Sequence, residues 1–234
     1  MKRDQTPPQR TVVLLLALLL TQACPPAQSQ SLREQEIAQC LAGEVMSWGD
    51  GVDRPALGSP MVFVYDPSAA PAWFDQNVVL SALERAATAW SLCGVPGKVV
   101  GRTLASAPSN AAVVWVRWSD LGSRGNFGLA DFGQRSLTLG PAAFALLKAR
   151  NPAYDARQTL QMVISHEMGH LFGLMTHSKR CVDVTSSYVS SKGEACFARD
   201  RSQLKTVVEY RSSLPTACDI ARCKIANGHR DEGR

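Results

Sequence analysis

His166, Glu167 and His170 are the residues whose types and spacing most directly suggest chemistry. Side chains four apart on a helix share one face, about 5–6 Å from each other, so the two imidazoles can meet on a single ion. Zinc takes nitrogen ligands at about 2.0–2.1 Å, and a catalytic site keeps three protein ligands and leaves a position to water. Glu167, beside the first imidazole, is placed to take a proton from an attacking water and return it to a leaving amine, while the ion polarises the carbonyl. A chance pair of histidines is disfavoured by context. Three of the chain's 4 histidines fall between positions 166 and 177, and a charged Glu167 stands in an otherwise apolar setting.

A third ligand has three candidates: His177, Asp183 and Glu194. His177 is preferred, because imidazole is a common zinc ligand and Gly173 can turn the chain out of the helix so that a residue four positions on folds back. Asp183 needs a longer excursion past Cys181, and Glu194 follows Ser190-Ser191-Lys192-Gly193, which reads as a loop.

The elements that must position these groups follow from periodicity. Asp155 is a helix N-cap with Gln158 three residues on, and the helix should run over residues 156–172 and close at Gly173. Residues 61–65 are apolar and β-rich and end at Asp66-Pro67, as a buried strand would. Apolar positions at Val79, Leu83, Ala86, Ala87 and Trp90 make residues 77–92 an amphipathic helix that stops at Gly94. Strands are expected at Val99, over 113–118 and over 136–139, with a Gly-rich segment at 122–128 leading into 129–132. Residues 32–48 have helical spacing, and a last helix is expected over about 199–211. The class is α+β: a mixed twisted sheet, the helix bearing the histidines, and a C-terminal helical, disulfide-bearing lobe.

Taken together, His166-Glu167-x-x-His170-x-x-Gly173-Leu174 followed by His177-Ser178 resembles the zinc signature of the metzincins, especially matrixin-like bacterial enzymes. The order of elements over about residues 60–190 is similar to their catalytic domain. The resemblance implies a zincin-like fold, a secreted zinc metalloendopeptidase, and a single metallopeptidase domain over residues 32–226. It also implies an edge strand near Gly128, Leu129, Ala130 and Asp131 that binds extended peptide by backbone pairing; an ordinary surface hairpin is the plainer alternative. Two departures stand out. The family's third ligand falls at Thr176 here, one residue before His177, and no Met follows Met175 where the family carries one in a turn beneath the metal. The segment 184–188 is the candidate altered turn, with Tyr188 either near the site or simply packed. No inhibitory cysteine motif precedes the domain. The rival reading is an exported zinc-binding protein without catalysis, and Glu167 argues against it, since a purely structural zinc site has no use for a free carboxylate.

Composition sets the surroundings. Lys2, Arg3 and Arg10 precede an apolar run at 12–20 and a small-residue stretch, which reads as an export signal over residues 1–23. Such a run is far short of the roughly 20 residues a membrane-spanning helix needs. Cleavage near Ala23 or Ser29 and lipidation of Cys24 are both compatible, so Cys24 is the candidate for a lipid anchor, and the location is secreted or periplasmic. A Pro/Gln/Ser-rich linker occupies 24–31, and a mixed-charge tail 227–234 reads as a solvated end. The net charge is +5, of which Lys2, Arg3, Asp4 and Arg10 supply +2, and no Lys/Arg cluster appears. That excludes nucleic acid as the expected partner and leaves a protein or peptide substrate. Cys40, Cys93, Cys181, Cys196, Cys218 and Cys223 form an even set, so three disulfides are expected in an oxidising compartment. The expected pairs are Cys181 to Cys196, Cys218 to Cys223 and Cys40 to Cys93.

Overall fold

A mostly parallel sheet of five strands carries the chain: β1 Met61–Asp66, β2 Gly97–Val100, β3 Ala112–Trp118, β4 Gly128–Asp131 and β5 Ser136–Leu139. The computed structural model describes residue 1, residues 30–101 and residues 111–229. Cys24, all but the first residue of the expected signal, most of the linker, and residues 230–234 lie outside the described residues. The strand order is β2-β1-β3-β5-β4, and only β4 runs antiparallel to its neighbour. β1 buries Met61 through Tyr65 without a break, the pattern of a strand covered on both faces. β3 alternates, with Ala112, Val114, Val116 and Trp118 buried and Trp115 and Arg117 exposed.

Six α-helices are described: α1 Leu32–Ala38, α2 Gln76–Trp90, α3 Asp120–Ser123, α4 Pro141–Arg150, α5 Ala156–Leu171 and α6 Ala217–Ala226. α2 and α5 pack together against the sheet. On α5, Leu160, Ile164, Met168 and Leu171 are wholly buried, each contributing about 1.5–3 kcal/mol. Seating that stripe in the core turns positions 166 and 170 away from it. Trp90 secures the helix pair: its indole N–H donates to the Ser165 carbonyl at 2.8 Å, and its ring stacks on Phe172 with centroids 5.9 Å apart.

The C-terminal region departs from the sequence reading. Residues 199–211 do not form a helix. They give only a 3-10 turn, Arg201–Lys205, with no buried side chain, and Val207 and Val208 stay exposed, so the burial of Tyr210 alone does not offset the cost of ordering a longer helix. The last helix is α6, opened by a capping box in which Thr216 and Asp219 satisfy each other's backbone N–H. Similarly, α1 ends at Ala38 rather than continuing to 48, as Gln39 is already extended.

Cys181 pairs with Cys196 as expected, but the other two disulfides are Cys40–Cys218 and Cys93–Cys223. Cys218 and Cys223 both lie on α6, where five residues amount to about 140° of rotation, so they face different neighbours. One reaches the end of α1 and the other the end of α2. Three disulfides fit an oxidising compartment, and no helix among the described residues is long and apolar enough to cross a membrane.

Gly173 closes α5 at φ 107°, and a Cβ there would collide with the Arg54 carbonyl oxygen, while the Gly173 carbonyl accepts from Arg54 N–H at 3.0 Å. Gly173→Ala is expected to lose about 1–3 kcal/mol from backbone strain alone, read as a lower urea midpoint; an unchanged midpoint would show that the loop yields freely. Peptide mapping of the unreduced protein should return Cys40–Cys218 and Cys93–Cys223, and a Cys218–Cys223 peptide would overturn the assignment.

Candidate metal centre

α5 starts from Asp155, whose carboxylate accepts the Arg157 N–H at 3.0 Å, and it presents His166 and His170 one turn apart with ring centroids at 5.0 Å. After Gly173 the chain doubles back, with Leu174 N–H donating to the Gly169 carbonyl at 3.0 Å. The return carries the His177 ring to 5.3 Å from His166 and 5.2 Å from His170. One ligand atom from each of the three histidines then lies within 4.8 Å of the others. Tetrahedral zinc with bonds of about 2.0–2.1 Å holds its nitrogens about 3.4 Å apart, a spacing inside that limit.

Each imidazole is oriented by its Nδ1. That of His166 lies 2.8 Å from the Val184 carbonyl, that of His170 2.7 Å from the Leu174 carbonyl, and that of His177 2.7 Å from Asp50 Oδ2. With Nδ1–H donating in all three, Nε2 is left as the lone-pair nitrogen, the arrangement that zinc-binding histidines use. Burial, together with the neighbouring imidazoles, pushes His166 well below its usual range and His170 down to about 4. Both are therefore neutral near pH 7, the form that binds metal.

Asp50 is the residue the sequence reading missed. One oxygen accepts from Thr176 Oγ1 at 2.5 Å and His177 N–H at 2.9 Å, and the other faces the His177 ring. Burial pushes its carboxyl up, but the hydrogen bonds from Thr176 and His177 outweigh it and hold Asp50 well below the usual carboxylate range. Asp53 accepts the Thr176 N–H at 3.1 Å and the Arg222 Nε–H at 2.7 Å, and Arg222 also donates to the Thr176 carbonyl. Thr176 therefore has its N–H, carbonyl and hydroxyl all committed to bracing the loop. The loop so braced presents the His177 ring toward His166 and His170. In the sequence Asp50 and Asp53 are two acids in a Gly-containing stretch more than a hundred residues away, and no local signal marks them.

The other sequence candidates lie elsewhere. Asp183 is buried on Arg180 and Ser178 at 2.8 and 2.6 Å, and Glu194 is exposed beside Ser190. The turn beneath His166 is built from Asp183 to Ser186, and Asp219 holds it through the Val184 N–H at 2.9 Å and Thr185 Oγ1 at 2.6 Å. Tyr188 directs its hydroxyl to Glu209 and accepts from the Tyr210 and Arg211 N–H groups; it braces a loop. Cys40, Glu44 and Cys218 also converge, but the two sulfurs are joined as a disulfide.

Glu167 is buried beneath an open cleft of about 440 Å3 that the three histidines line. Its Oε2 accepts the Ala130 N–H at 2.8 Å. Burial pushes its carboxyl up to about 7, against the lowering by that hydrogen bond, so it can exchange a proton near neutral pH. β4 lies against it at the sheet edge: a Cβ on Gly128 would come within 2.5 Å of Val163 and 2.8 Å of Glu167 Cγ. Glycine there lets the strand close down on the helix.

No protein-family model and no curated protein matches the sequence. Solved structures share a distant likeness with the chain, these two among them. The GM1-bound form of the ECX AB5 holotoxin aligns at TM-score 0.41 and 12% identity, over 86% of this chain and 92% of that one. A zinc-dependent peptidase from Methanocorpusculum labreanum aligns at TM-score 0.38 and 14% identity, over 72% of this chain and 100% of that one. Likenesses this remote leave the function to be argued from the site.

Asp50→Asn keeps an oxygen for Thr176 and removes the charge opposite the His177 ring. It is expected to weaken zinc binding about 10–100-fold with little change in the far-ultraviolet circular dichroism. Chelator competition measures this, and unchanged affinity would remove Asp50 from the centre.

Proposed function

We propose that the chain is an exported zinc-dependent endopeptidase with a metzincin-like site, in which His166, His170 and His177 hold the metal and Glu167 is the general base. The observation that carries this reading is the convergence of three imidazoles, each with Nδ1 tied back, on one open cleft beside a buried carboxylate. Zinc bound there would supply Lewis acidity, polarising a carbonyl and lowering the pKa of water. Glu167 takes the proton of the attacking water and hands it to the leaving nitrogen. Its contact with β4 keeps the carboxylate beside the strand that receives the substrate.

Gly128, Leu129 and Ala130 are the proposed substrate-binding backbone. β4 has a strand partner on one side only among the described residues, and an extended peptide can add to the other side through main-chain hydrogen bonds. Residues 32–226 form the proposed peptidase unit, acting on protein or peptide outside the cytoplasm.

Zinc-loaded wild type is expected to hydrolyse casein, to lose activity to a chelator and to regain it with added zinc. Glu167→Gln keeps the side chain's shape and removes the base, so zinc should stay bound while kcat/KM falls about 10²–10⁴-fold. Equal activity in the variant would refute the role of Glu167. Stoichiometric zinc without hydrolysis by wild type would instead favour a non-catalytic zinc-binding protein.

A further inference from the structure

The metal cleft continues past the histidines. Met162 and Arg211 line it, and both also line an adjoining cavity of about 510 Å3 along the N-terminal half of α5. Arg33, Arg85, Arg157 and Arg211 border that cavity against only two carboxylates, Asp155 and Glu209. Both carboxylates are committed: Asp155 takes Arg157 through contacts of 2.8 Å, and Glu209 takes Arg211 through contacts of 3.0 and 2.8 Å. Arg33 donates to the carbonyls of Tyr210 and Arg211 at 2.9 and 2.8 Å, and Arg85 donates to Gln161 Oε1 at 2.8 Å. Those acceptors are neutral, and among the described residues neither Arg33 nor Arg85 forms an ion pair. The cavity therefore has an excess of positive charge facing a space continuous with the site, which favours a carboxylate occupant. Met162 lies one helical turn and Gln158 two turns before His166, about 6–12 Å along the axis. An extended peptide covers that distance in about two to four residues.

Resting on the peptidase reading, we propose that this cavity is a subsite for a peptide carboxylate, selecting substrates with an acidic group two to four residues from the bond that is cut. The carboxylate is supplied by an Asp or Glu side chain or by the chain terminus.

The test uses zinc-loaded Glu167→Gln protein, chosen to bind without turnover. It is titrated with fluorescein-labelled, alanine-based peptides in which a single Glu is walked along the chain, each paired with its Gln counterpart. One set has amidated C-termini and the other free ones. At one position the Glu peptide should bind about two- to fivefold more tightly than its Gln partner, the range open to a partly exposed ion pair. That ratio should shrink as salt is raised to about 0.5 M, approach one in Arg85→Gln, and recover in Arg85→Lys, whose charge remains. A preference that follows the free terminus instead of the internal Glu assigns the occupant to the chain end. Ratios near one at every position in both sets, or no measurable binding of any peptide, overturn the subsite. Casein hydrolysis by wild type judges the peptidase reading separately: an active enzyme without the preference loses only the subsite, and an inactive protein with the preference loses only the peptidase reading.

Discussion

One buried contact supports the rest of the centre: the Arg222 guanidinium, which holds Asp53 and the Thr176 carbonyl together. Two of the three imidazoles need no such help, because helical geometry aligns positions 166 and 170. The third comes from a loop, and fixing a loop residue costs about 1–2 kcal/mol in backbone entropy. Arg222 and Asp53, with side chains 8% and 20% exposed, form a pair in which loss of one member leaves the other's hydrogen bonds unmade, at a cost of about 1–3 kcal/mol. Against a net stability of about 5–15 kcal/mol for a typical domain, that is a large share. The loop that carries His177 is thus held by side chains from two distant segments, where helical geometry aligns His166 and His170.

α6 gathers these constraints. Cys218 ties it to Cys40 and Cys223 ties it to Cys93, closing separations of 178 and 130 residues, and crosslinks that close long loops remove the most freedom from the unfolded chain. Between them, Asp219 holds the turn whose Val184 carbonyl orients His166, and Arg222 holds the loop that orients His177. A helix that contributes no candidate ligand therefore controls the orientation of two of them. The turn beneath His166 is thus fixed by a carboxylate from α6.

His166, Glu167 and His170 were legible because their spacing is a property of the helix itself. So were β1, β3, β5 and α2, where continuous or alternating apolar residues match their burial. The approach of His177 to His166 and His170 was readable from chain reach past Gly173. Asp50, Asp53, Asp219 and Arg222 were not, since each is brought in by the tertiary path from a segment with no chemistry of its own to advertise. The disulfide error has a specific origin. Cys218 and Cys223 were paired because they are close along the chain, although Thr216-x-x-Asp219 is a helix-start signal that places them on different faces. The helix expected over 199–211 failed where Val207 and Val208 find no surface to cover, while Leu204 and Tyr210 pack into the cluster around Cys181 and Cys196 without it.

The outer edge of β4, which has no strand partner among the described residues, carries a risk. An unpaired strand edge is a template on which copies of a protein join sheet to sheet. Here the edge is four residues long, begins with glycine and ends with the charge of Asp131, and its Ala130 N–H is already engaged by Glu167. Those features leave little continuous backbone on which copies of the chain could pair, so brevity and a borrowed hydrogen bond guard the molecule against polymerising through its own sheet.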